Sequence, residues 1–304
     1  MSGQPLVSII VPSYNQGHFI RRTLESIFAQ DYRPLEVLVI DGASTDNTVA
    51  ILKEFSDRPE LQWVSERDRG VVDAVNKGFA RATGTIGAIQ SSDDFYLPGA
   101  IATAVSALCA DPTLAFVFGD IKSVDASGKE LNRTAFTPYS LQAVLTKEIW
   151  IPQPSTFFRM DLAKALGGWR ESVPYSADTD LWLRMALKHP ARKIDALMAE
   201  RSIHEAQRDT QGKKIARDYR LSIDTLPGLS EAPRAIRRAA RASQALMELR
   251  YDHNVGELTR AGRYWRAALA WPPLFRRESA YQFVPFGPLA RALASRLART
   301  LGLR

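Results

Sequence analysis

Carboxylates and small hydroxyl residues recur in four clusters, each directly after an apolar segment rich in β-branched residues. The clusters are residues 12–15 (PSYN), 41–46 (DGASTD), 65–68 (SERD) and 91–94 (SSDD). If the apolar segments are parallel strands, the clusters meet at the carboxyl edge of one sheet, where open α/β sheets bind ligands. Several carboxylates with only local basic residues would repel one another there. Mg²⁺ or Mn²⁺ would offset that repulsion, because these ions take hard oxygen ligands and share them with substrate phosphates.

The four clusters differ in how well a purely structural role explains them. Asp46 lies in Ser-Thr-Asp-Asn-Thr, which is also a good start for a helix, so turn formation or capping is its competing interpretation. Asp93 and Asp94 follow a segment predicted to be a buried strand, and this favours a ligand role. No G-x-G-x-x-G follows the first apolar segment and no P-loop sequence occurs, so the usual dinucleotide and P-loop interpretations lose their main support. A nucleotide could still bind through carboxylates and a metal.

The elements that must position these clusters alternate between strand and helix. Four segments are predicted to be strands: residues 7–11, 35–40, 61–64 and 85–90. Helical spacing of apolar residues fills the intervals, and this βαβαβαβ order predicts a parallel sheet with helices on both faces. We expect Pro12 to end the first strand, and Ser44 or Thr45 to cap the second helix. An apolar helix is predicted over residues 98–110, with Cys109 packed in the core.

Length and composition exclude several classes of protein. The chain has 304 residues, of which 45% are hydrophobic, so it can bury a large core and is not mainly disordered. Its single cysteine excludes a disulfide scaffold and argues against a thiolate zinc site. No segment is long and apolar enough to span a membrane, and the N-terminus lacks the basic region of a signal peptide. We therefore expect a cytoplasmic protein, either soluble or peripheral on the inner face of the plasma membrane.

Four ordered motifs resemble those of the inverting glycosyltransferases of family 2, which have the GT-A fold. They are residues 7–15 (VSIIVPSYN), 39–48 (VIDGASTDNT), 65–78 (SERDRGVVDAVNKG) and 91–99 (SSDDFYLPG), and the resemblance extends over residues 6–204. It implies an α/β fold with a doubly wound, mostly parallel sheet and a helical C-terminal extension. It also divides the chain into a catalytic domain, residues 1–210, and a basic extension, residues 211–304. Within the former, residues 1–95 would bind the nucleotide sugar and residues 96–210 the acceptor.

The resemblance also implies roles on the donor side. Asp41 would hydrogen-bond the base, as uracil presents an N–H to a carboxylate, and Asp93 would contact the ribose. Asp94 would bind the Mg²⁺ or Mn²⁺ that bridges the diphosphate, and His204 would reach the metal or the diphosphate. Two motifs depart from the family pattern. Ser92 replaces the first acid of the D-x-D motif. The second loop reads Asp41-Gly42-Ala43-Ser44 where the family commonly has Asp-Asp-Gly-Ser, which leaves one acid instead of two. The remaining donor residues implied by the resemblance are Pro12, Ser13 and Tyr14 at the base, and Asp68 and Lys77 near the nucleotide and sugar.

On the acceptor side, Asp178 matches the aspartate that serves as catalytic base in the family. The preceding glutamate of that motif is replaced by Ala177, and the nearby Asp180 has a structural alternative in the first turn of a helix. Gln153 would touch the donor sugar or the acceptor. Trp169 would stack on a sugar ring of the acceptor or simply pack in the core.

The C-terminal third is strongly basic. Residues 201–304 hold 20 Lys and Arg against 9 Asp and Glu, a net charge of +11, whereas residues 1–200 hold 20 against 24, a net charge of −4. Near the end, leucines spaced by four form one apolar arc with arginines outside it. This pattern suits either a helix lying on an anionic membrane surface or a helical cap packed on the catalytic domain. The leucines are Leu289, Leu293, Leu297 and Leu301.

The leading interpretation is a metal-dependent hexosyl- or N-acetylhexosaminyl-transferase of cell-envelope polysaccharide biosynthesis. Its donor would be a nucleotide-diphosphate sugar, UDP-linked by preference, with guanosine and thymidine left open. Its acceptor would be a saccharide, free or lipid-linked. A nucleotidyltransferase is disfavoured because no Gly- and Lys/Arg-rich first loop is present. Two alternatives stay open: a relative that binds the nucleotide sugar without turnover, and a nucleic-acid-binding protein that acts through its basic tail. Nucleic acid is not the expected partner, because the tail carries no recognition motif.

Overall fold

In the computed structural model, residues 3–125, 127–204, 211–251 and 257–273 are described, and they form two compact units. The first unit contains the described residues up to 139 and residues 151–204. The second contains residues 140–150 and the described residues after 210. The short segment 140–150, which the sequence analysis places in the acceptor half, therefore groups with the C-terminal helices.

The first unit is an α/β layer structure. Its strands are β1 (Val7–Ser13), β2 (Leu35–Asp41), β3 (Leu61–Ser65), β4 (Ile86–Ile89), β5 (Phe95–Tyr96), β6 (Phe116–Asp125), β7 (Glu130–Thr134), β8 (Thr156–Arg159) and β9 (Ala191–Ile203). Its helices are α1 (Ile20–Phe28), α2 (Thr48–Glu54), α3 (Val71–Arg81), α4 (Ala100–Ala110), α6 (Met160–Ala165) and α7 (Ala177–Ala186). The second unit is helical, with α5 (Leu141–Leu145), α8 (Gly212–Asp224), α9 (Arg234–Tyr251) and α10 (Glu257–Ala270).

The strands form one sheet in the order β3-β2-β1-β4-β8-β6-β9-β5, with β7 paired to β6. The four N-terminal strands run parallel, and β9 runs parallel to β6. The strand β8 is antiparallel to both of its neighbours, β4 and β6. The predicted α/β class with its largely parallel sheet is confirmed, and the register places the ends of β1, β2 and β3 side by side.

The core occupies both faces of this sheet. Val7, Ile9 and Val11 face a cluster that includes residues of α1, α2 and α4. The helix α3 lies on the opposite face. A Cβ added to Gly78 would lie only 2.3 Å from Ile10 Cγ2, so the glycine allows α3 to pack closely on β1. Helices on both faces are what a doubly wound sheet requires.

Several local predictions are wrong, each for a physical reason. Pro12 lies inside β1 instead of ending it, because pairing with β4 stops at Ile10 and no partner there needs the missing N–H. The helix α2 begins at Thr48, and Ser44 contacts Asp41 instead of capping that helix. Cys109 is exposed and does not pack in the core.

The structural interpretation of Asp46 is supported by its contacts. Its carboxylate accepts hydrogen bonds from Thr48 N at 2.9 Å and Gly17 N at 2.9 Å. Burial raises the pKa of this carboxyl, but these bonds lower it more, so the pKa falls below its usual value. Asp46 therefore joins the loop after β1 to the start of α2.

No helix among the described residues is long and apolar enough to cross a membrane. The leucine arc predicted near the C-terminus lies outside the described residues.

Glu36 is a buried carboxylate at the amino edge of the sheet and gives a test of the fold. It accepts hydrogen bonds from Thr83 N at 2.6 Å, Gly84 N at 2.9 Å and the Ser8 hydroxyl. We expect Glu36→Gln to lower the free energy of unfolding at pH 7 by about 1–3 kcal/mol. The amide removes the negative charge that strengthens the three bonds to Oε1, and it replaces Oε2, which accepts from Thr83 Oγ1 at 3.1 Å, by a donor. Urea titration measures this loss.

The loss should depend on pH with a defined sign. Burial raises the pKa of Glu36, but its hydrogen bonds lower it further, so the folded pKa lies below the unfolded one. The stabilisation is therefore present above the unfolded pKa and disappears as pH falls through the folded pKa, below about pH 4. Glu54→Gln, which changes an exposed pair with Arg21, is the control. If the two variants keep the same difference in free energy of unfolding from pH 7 down to pH 3, the lowered pKa of Glu36 is contradicted.

Candidate active site

Asp41 ends β2, and its carboxylate is held by three donors from the chain. Ser44 N donates to Oδ2 at 2.9 Å, Ser65 Oγ donates to Oδ2 at 2.6 Å, and Ser44 Oγ donates to Oδ1. The side chain is fully buried. Because a carboxylate offers about four acceptor positions, Oδ1 retains one position for a further donor. Asp41 thus anchors the loop after β2, and its contact with a base remains a prediction.

The loops after β1 and β2 are joined by reciprocal hydrogen bonds. Asn15 N donates to Ser44 Oγ at 2.7 Å, and Thr45 N donates to Asn15 Oδ1 at 2.8 Å. Asn15 adopts a left-handed backbone with φ of 51°, which asparagine tolerates better than most residues. Tyr14 is 59% exposed beside this junction, whereas Pro12 and Ser13 are buried. The exposed ring of Tyr14 can therefore reach a ligand at the carboxyl edge of the sheet.

Asp68 lies against the loop that follows Asp41. A Cβ added to Gly42 would be 2.7 Å from Asp68 Oδ2, so only glycine allows this approach. The other oxygen, Oδ1, accepts a hydrogen bond from Gly70 N at 2.8 Å.

Lys77 lies on α3 and pairs with Glu66, with 2.9 Å between Nζ and Oε1. The hydrogen bond and charge of Glu66 raise the pKa of Lys77. The ammonium group is thus held beside the segment that precedes α3, and its contact with a donor remains a prediction.

Asp93 and Asp94 contact the end of β9, although more than 100 residues separate the two segments in the sequence. Asp94 is buried, and its Oδ1 accepts a hydrogen bond from Ser202 N at 3.0 Å. His204 Nε2 lies 2.9 Å from Asp93 Oδ2. The His204 ring also stacks on Phe19, with 4.8 Å between centroids. The structure therefore places Asp93, predicted to contact the ribose, against His204, and Asp94 against Ser202, two residues before His204.

This donor set fits a hard divalent cation. Within the described residues, no group of three or more His, Cys, Asp or Glu side chains is arranged to hold a metal by itself. Mg²⁺ is usually held by one or two carboxylates, with substrate phosphates and water completing its shell. A carboxylate and an imidazole are ligand types that suit such a partly protein-bound ion, and imidazole also suits Mn²⁺. Asp94 and His204 are the residues that would hold the ion, and their role stays a prediction.

Gln153 reaches the same edge from a different segment. It begins a short 3₁₀ turn before β8, and its Nε2 donates to Ile89 O at 3.2 Å and to Ser91 Oγ at 3.1 Å. These bonds place Gln153 against the segment that leads into Asp93.

Trp169 is only 3% exposed, which favours packing over stacking on a sugar ring. Asn76 of α3 holds its backbone on both sides, accepting from Trp169 N at 2.9 Å and donating to Trp169 O at 2.8 Å. Its contact with an acceptor is not tested by this arrangement and stays a prediction.

Asp178 and Asp180 both lie in the first turn of α7, but their surroundings differ. Asp178 is half-buried. Asp180 is fully buried and pairs with Arg184 at 2.8 Å and with Arg170. Arg184 in turn donates to Leu166 O at 2.7 Å, which fixes the glycine turn before Trp169. Asp180 is thus a structural residue, held by ion pairs, while Asp178 is the more accessible acid.

Some residues that build this site were not predicted to belong to it. Ser44 and Ser65 lie within the clusters after β2 and β3, so their position was a usable signal. Ser202 and Phe19 gave none, because their contacts cross long intervals of sequence. Gln90 directly follows β4, is fully buried, and neither of its amide atoms has a partner among the described residues. Its amide therefore keeps its hydrogen-bonding capacity for water.

The fold is an α/β sheet of the GT-A class. TarS of S. aureus (residues 1–349, solved with UDP-GlcNAc) has a similar fold, with a TM-score of 0.65, 16% identity and 91% of each chain covered. The mannosyltransferase PcManGT of Pyrobaculum calidifontis, solved with GDP-Man and Mn²⁺, has a TM-score of 0.64 at 23% identity, covering 99% of this chain and 81% of that one. These likenesses establish the fold.

The sequence model described as Glycosyl transferase family 2 matches residues 8–166, so the chain belongs to glycosyltransferase family 2. An uncharacterized glycosyltransferase of Mycobacterium tuberculosis is 34% identical over 189 residues, 62% of this chain and 71% of that protein. The chondroitin synthase of Escherichia coli is 29% identical over 204 residues, 66% of this chain. The aligned region spans only 29% of that synthase.

Proposed function

We propose that this protein is an inverting glycosyltransferase that moves a hexosyl or N-acetylhexosaminyl group from a nucleotide-diphosphate sugar to a hydroxyl of a saccharide acceptor. The observation that carries the proposal is the meeting of Asp93, Asp94 and His204 at the carboxyl edge of the sheet. An edge with these ligands suits a diphosphate and a divalent cation. The same edge carries the loop anchored by Asp41, where a base would lie.

The structural neighbours support the donor class, because one was solved with UDP-GlcNAc and the other with GDP-Man and Mn²⁺. A uridine donor is favoured, since Asp41 Oδ1 can accept the N–H of uracil and Tyr14 offers an exposed ring beside it. The similarity to a chondroitin synthase supports a growing polysaccharide as acceptor. If that acceptor is lipid-linked, the reaction takes place at the inner face of the plasma membrane.

The proposed mechanism assigns each side chain a task. Asp94 and His204 would hold Mg²⁺ or Mn²⁺, which would stabilise the negative charge on the departing nucleoside diphosphate. Asp93 would contact the ribose. Asp178 accepts the proton of the acceptor hydroxyl while the oxygen of that hydroxyl bonds to the anomeric carbon of the donor sugar. The bonding pair of the old C–O bond leaves with the diphosphate. Attack from the face opposite the leaving group inverts the anomeric centre.

The remaining predicted residues would position the substrates. Pro12, Ser13 and Tyr14 would line the base, and Asp68 and Lys77 would lie near the nucleotide and sugar. Gln153 would touch the sugar, and Trp169 would shape the acceptor side through the loop it anchors.

One departure from the family pattern supports a second candidate, a protein that binds the nucleotide sugar without transferring it. Ala177 stands where the family has a glutamate beside the catalytic aspartate. Turnover of a bound donor distinguishes the two functions.

A thermal-shift panel tests the donor site. UDP, GDP, dTDP, CDP and ATP are each added with and without Mn²⁺, and the melting temperature is measured. We expect one nucleoside diphosphate to stabilise the protein only with metal, because ligand at about 100 times its Kd adds about 2.7 kcal/mol. Asp94→Asn should abolish the shift.

The matched control is Asp195→Asn, since Asp195 is an exposed acid on β9 that pairs with Lys193. It should keep the full shift. Silence from the whole panel, or a response to ATP that needs no metal, would refute the donor site. An equal loss in both variants would refute the role of Asp94.

A further inference from the structure

The helix α10 has one buried face and one exposed face. Tyr264, Ala267 and Ala268 pack against α9, where they join a cluster with Leu246 and Leu249. The cluster is apolar and nearly closed to solvent, so α10 is fixed on α9 by this face.

The opposite face of α10 presents two large apolar side chains to solvent. Trp265 is 43% exposed and Leu269 is 72% exposed. They lie four residues apart, on one side of the helix, with the exposed Arg266 between them. Leu269 is the most exposed large hydrophobic residue among those described. Trp265, Arg266 and Leu269 are called the α10 face below.

Basic side chains are frequent on α9, the helix against which α10 packs. Arg238 of α9 donates from Nε to Ala270 O at 3.0 Å, which places its guanidinium at the C-terminal end of α10. Along α9, arginines recur on the side that is not buried: Arg234, Arg237, Arg238 and Arg241. The only acid of α9, Glu248, pairs with Arg263 at 3.0 Å, with Arg220, and at 3.8 Å with Arg266 of the α10 face itself. Helices α9 and α10 together carry eight arginines against two acids, so this pair of helices keeps a net positive charge.

We infer that the α10 face binds an anionic lipid surface. Tryptophan favours the boundary between headgroups and acyl chains, and an exposed leucine gains by leaving water there. Arginines bind lipid phosphates through paired N–H groups. The net charge of +11 on residues 201–304 attracts an anionic leaflet rather than a neutral one. This inference does not depend on the proposed enzymatic activity, because it needs no substrate.

Vesicle flotation with the full-length protein tests the inference. The vesicles are pure phosphatidylcholine, or phosphatidylcholine with about 30% phosphatidylglycerol, at about 0.1 M salt. We expect binding to the anionic vesicles only. The double variant Trp265→Ala/Leu269→Gln should lower the partition coefficient at least about tenfold, because two apolar side chains no longer leave water. Arg266→Glu should lower it and weaken its dependence on salt.

The matched control is Leu131→Gln on β7, where a leucine is also 50% exposed but lies in the other unit. It should bind like the unchanged protein. Equal binding by the double variant and the control would overturn the inference and assign membrane contact to another surface.

Two further outcomes would also overturn it. If light scattering shows a dimer that the double variant dissociates, a second copy occupies the α10 face. If the double variant melts lower but still floats with the vesicles, the chain itself covers that face.

Discussion

Asp178→Asn is expected to lose about 10²–10⁴-fold in kcat while the Kd for the nucleoside diphosphate stays within about twofold. The asparagine keeps the size and position of the side chain in the first turn of α7 but cannot accept the proton of the acceptor hydroxyl. A base acts only in the transition state, so ground-state binding should not change. The measurement is release of nucleoside diphosphate from the nucleotide sugar, with the donor identified by the thermal-shift panel.

The control is Asp161→Asn, which changes an exposed acid in the first turn of another helix, α6. Its rate should equal that of the unchanged protein. If Asp178→Asn weakens donor binding as much as it slows the reaction, Asp178 is a binding residue. If the rate is unaffected, the base lies elsewhere. If the unchanged protein binds a donor with metal yet never releases diphosphate, the binding function without turnover stands.

The carboxyl edge of the sheet was predictable because its parts are local. Each cluster directly follows its strand, and a parallel βαβ order places all strand ends on one side. Asp41 and Asp93 could therefore be assigned to one edge from the sequence. Pairing of β1 with β2 brings Ser13 opposite Asp41, as that order requires.

The rest of the candidate site depends on contacts between residues far apart in the sequence, which short sequence patterns do not reveal. The strand β9 is 13 residues long and rich in charge, without the alternation that signals a strand, yet it carries Ser202 and His204 to Asp94 and Asp93. Its charged side chains form ion pairs; Glu200, for example, pairs with Arg22 and Lys122. Periodicity likewise gave no sign that Cys109 faces solvent.

The contrast between Asp178 and Asp180 shows where sequence reasoning becomes ambiguous. Both acids are near the N-terminus of one helix, and each could favour the helix dipole. Only packing separates them, because Arg170 and Arg184 approach Asp180 from the glycine turn and from the next turn of α7. The structural role of Asp180 is thus built from residues up to ten positions away.

Asp180→Asn is expected to lower the free energy of unfolding by about 3–5 kcal/mol, the largest effect on stability that we predict. Arg184 is almost fully buried, and burial lowers its pKa, which shows how costly its charge is without a partner. Asparagine leaves that charge uncompensated. It also loosens Arg184 from the carbonyls of Leu166 and Gly168, the turn that leads to Trp169. Urea titration followed by circular dichroism measures the loss.

Glu171→Gln is the matched control, because Glu171 forms an exposed pair with Arg69 at 2.7 Å. Exposed pairs contribute about 0–1 kcal/mol, so this variant should be nearly neutral. The double variant Asp180→Leu/Arg184→Met should recover part of the lost stability, since the buried Arg184 no longer carries an uncompensated charge. Recovery will be incomplete, because Arg170 still loses the carboxylate of Asp180 and the Leu166 and Gly168 carbonyls lose their donor. An Asp180→Asn variant as stable as Glu171→Gln would contradict the structural role and return Asp180 to the candidates for the base.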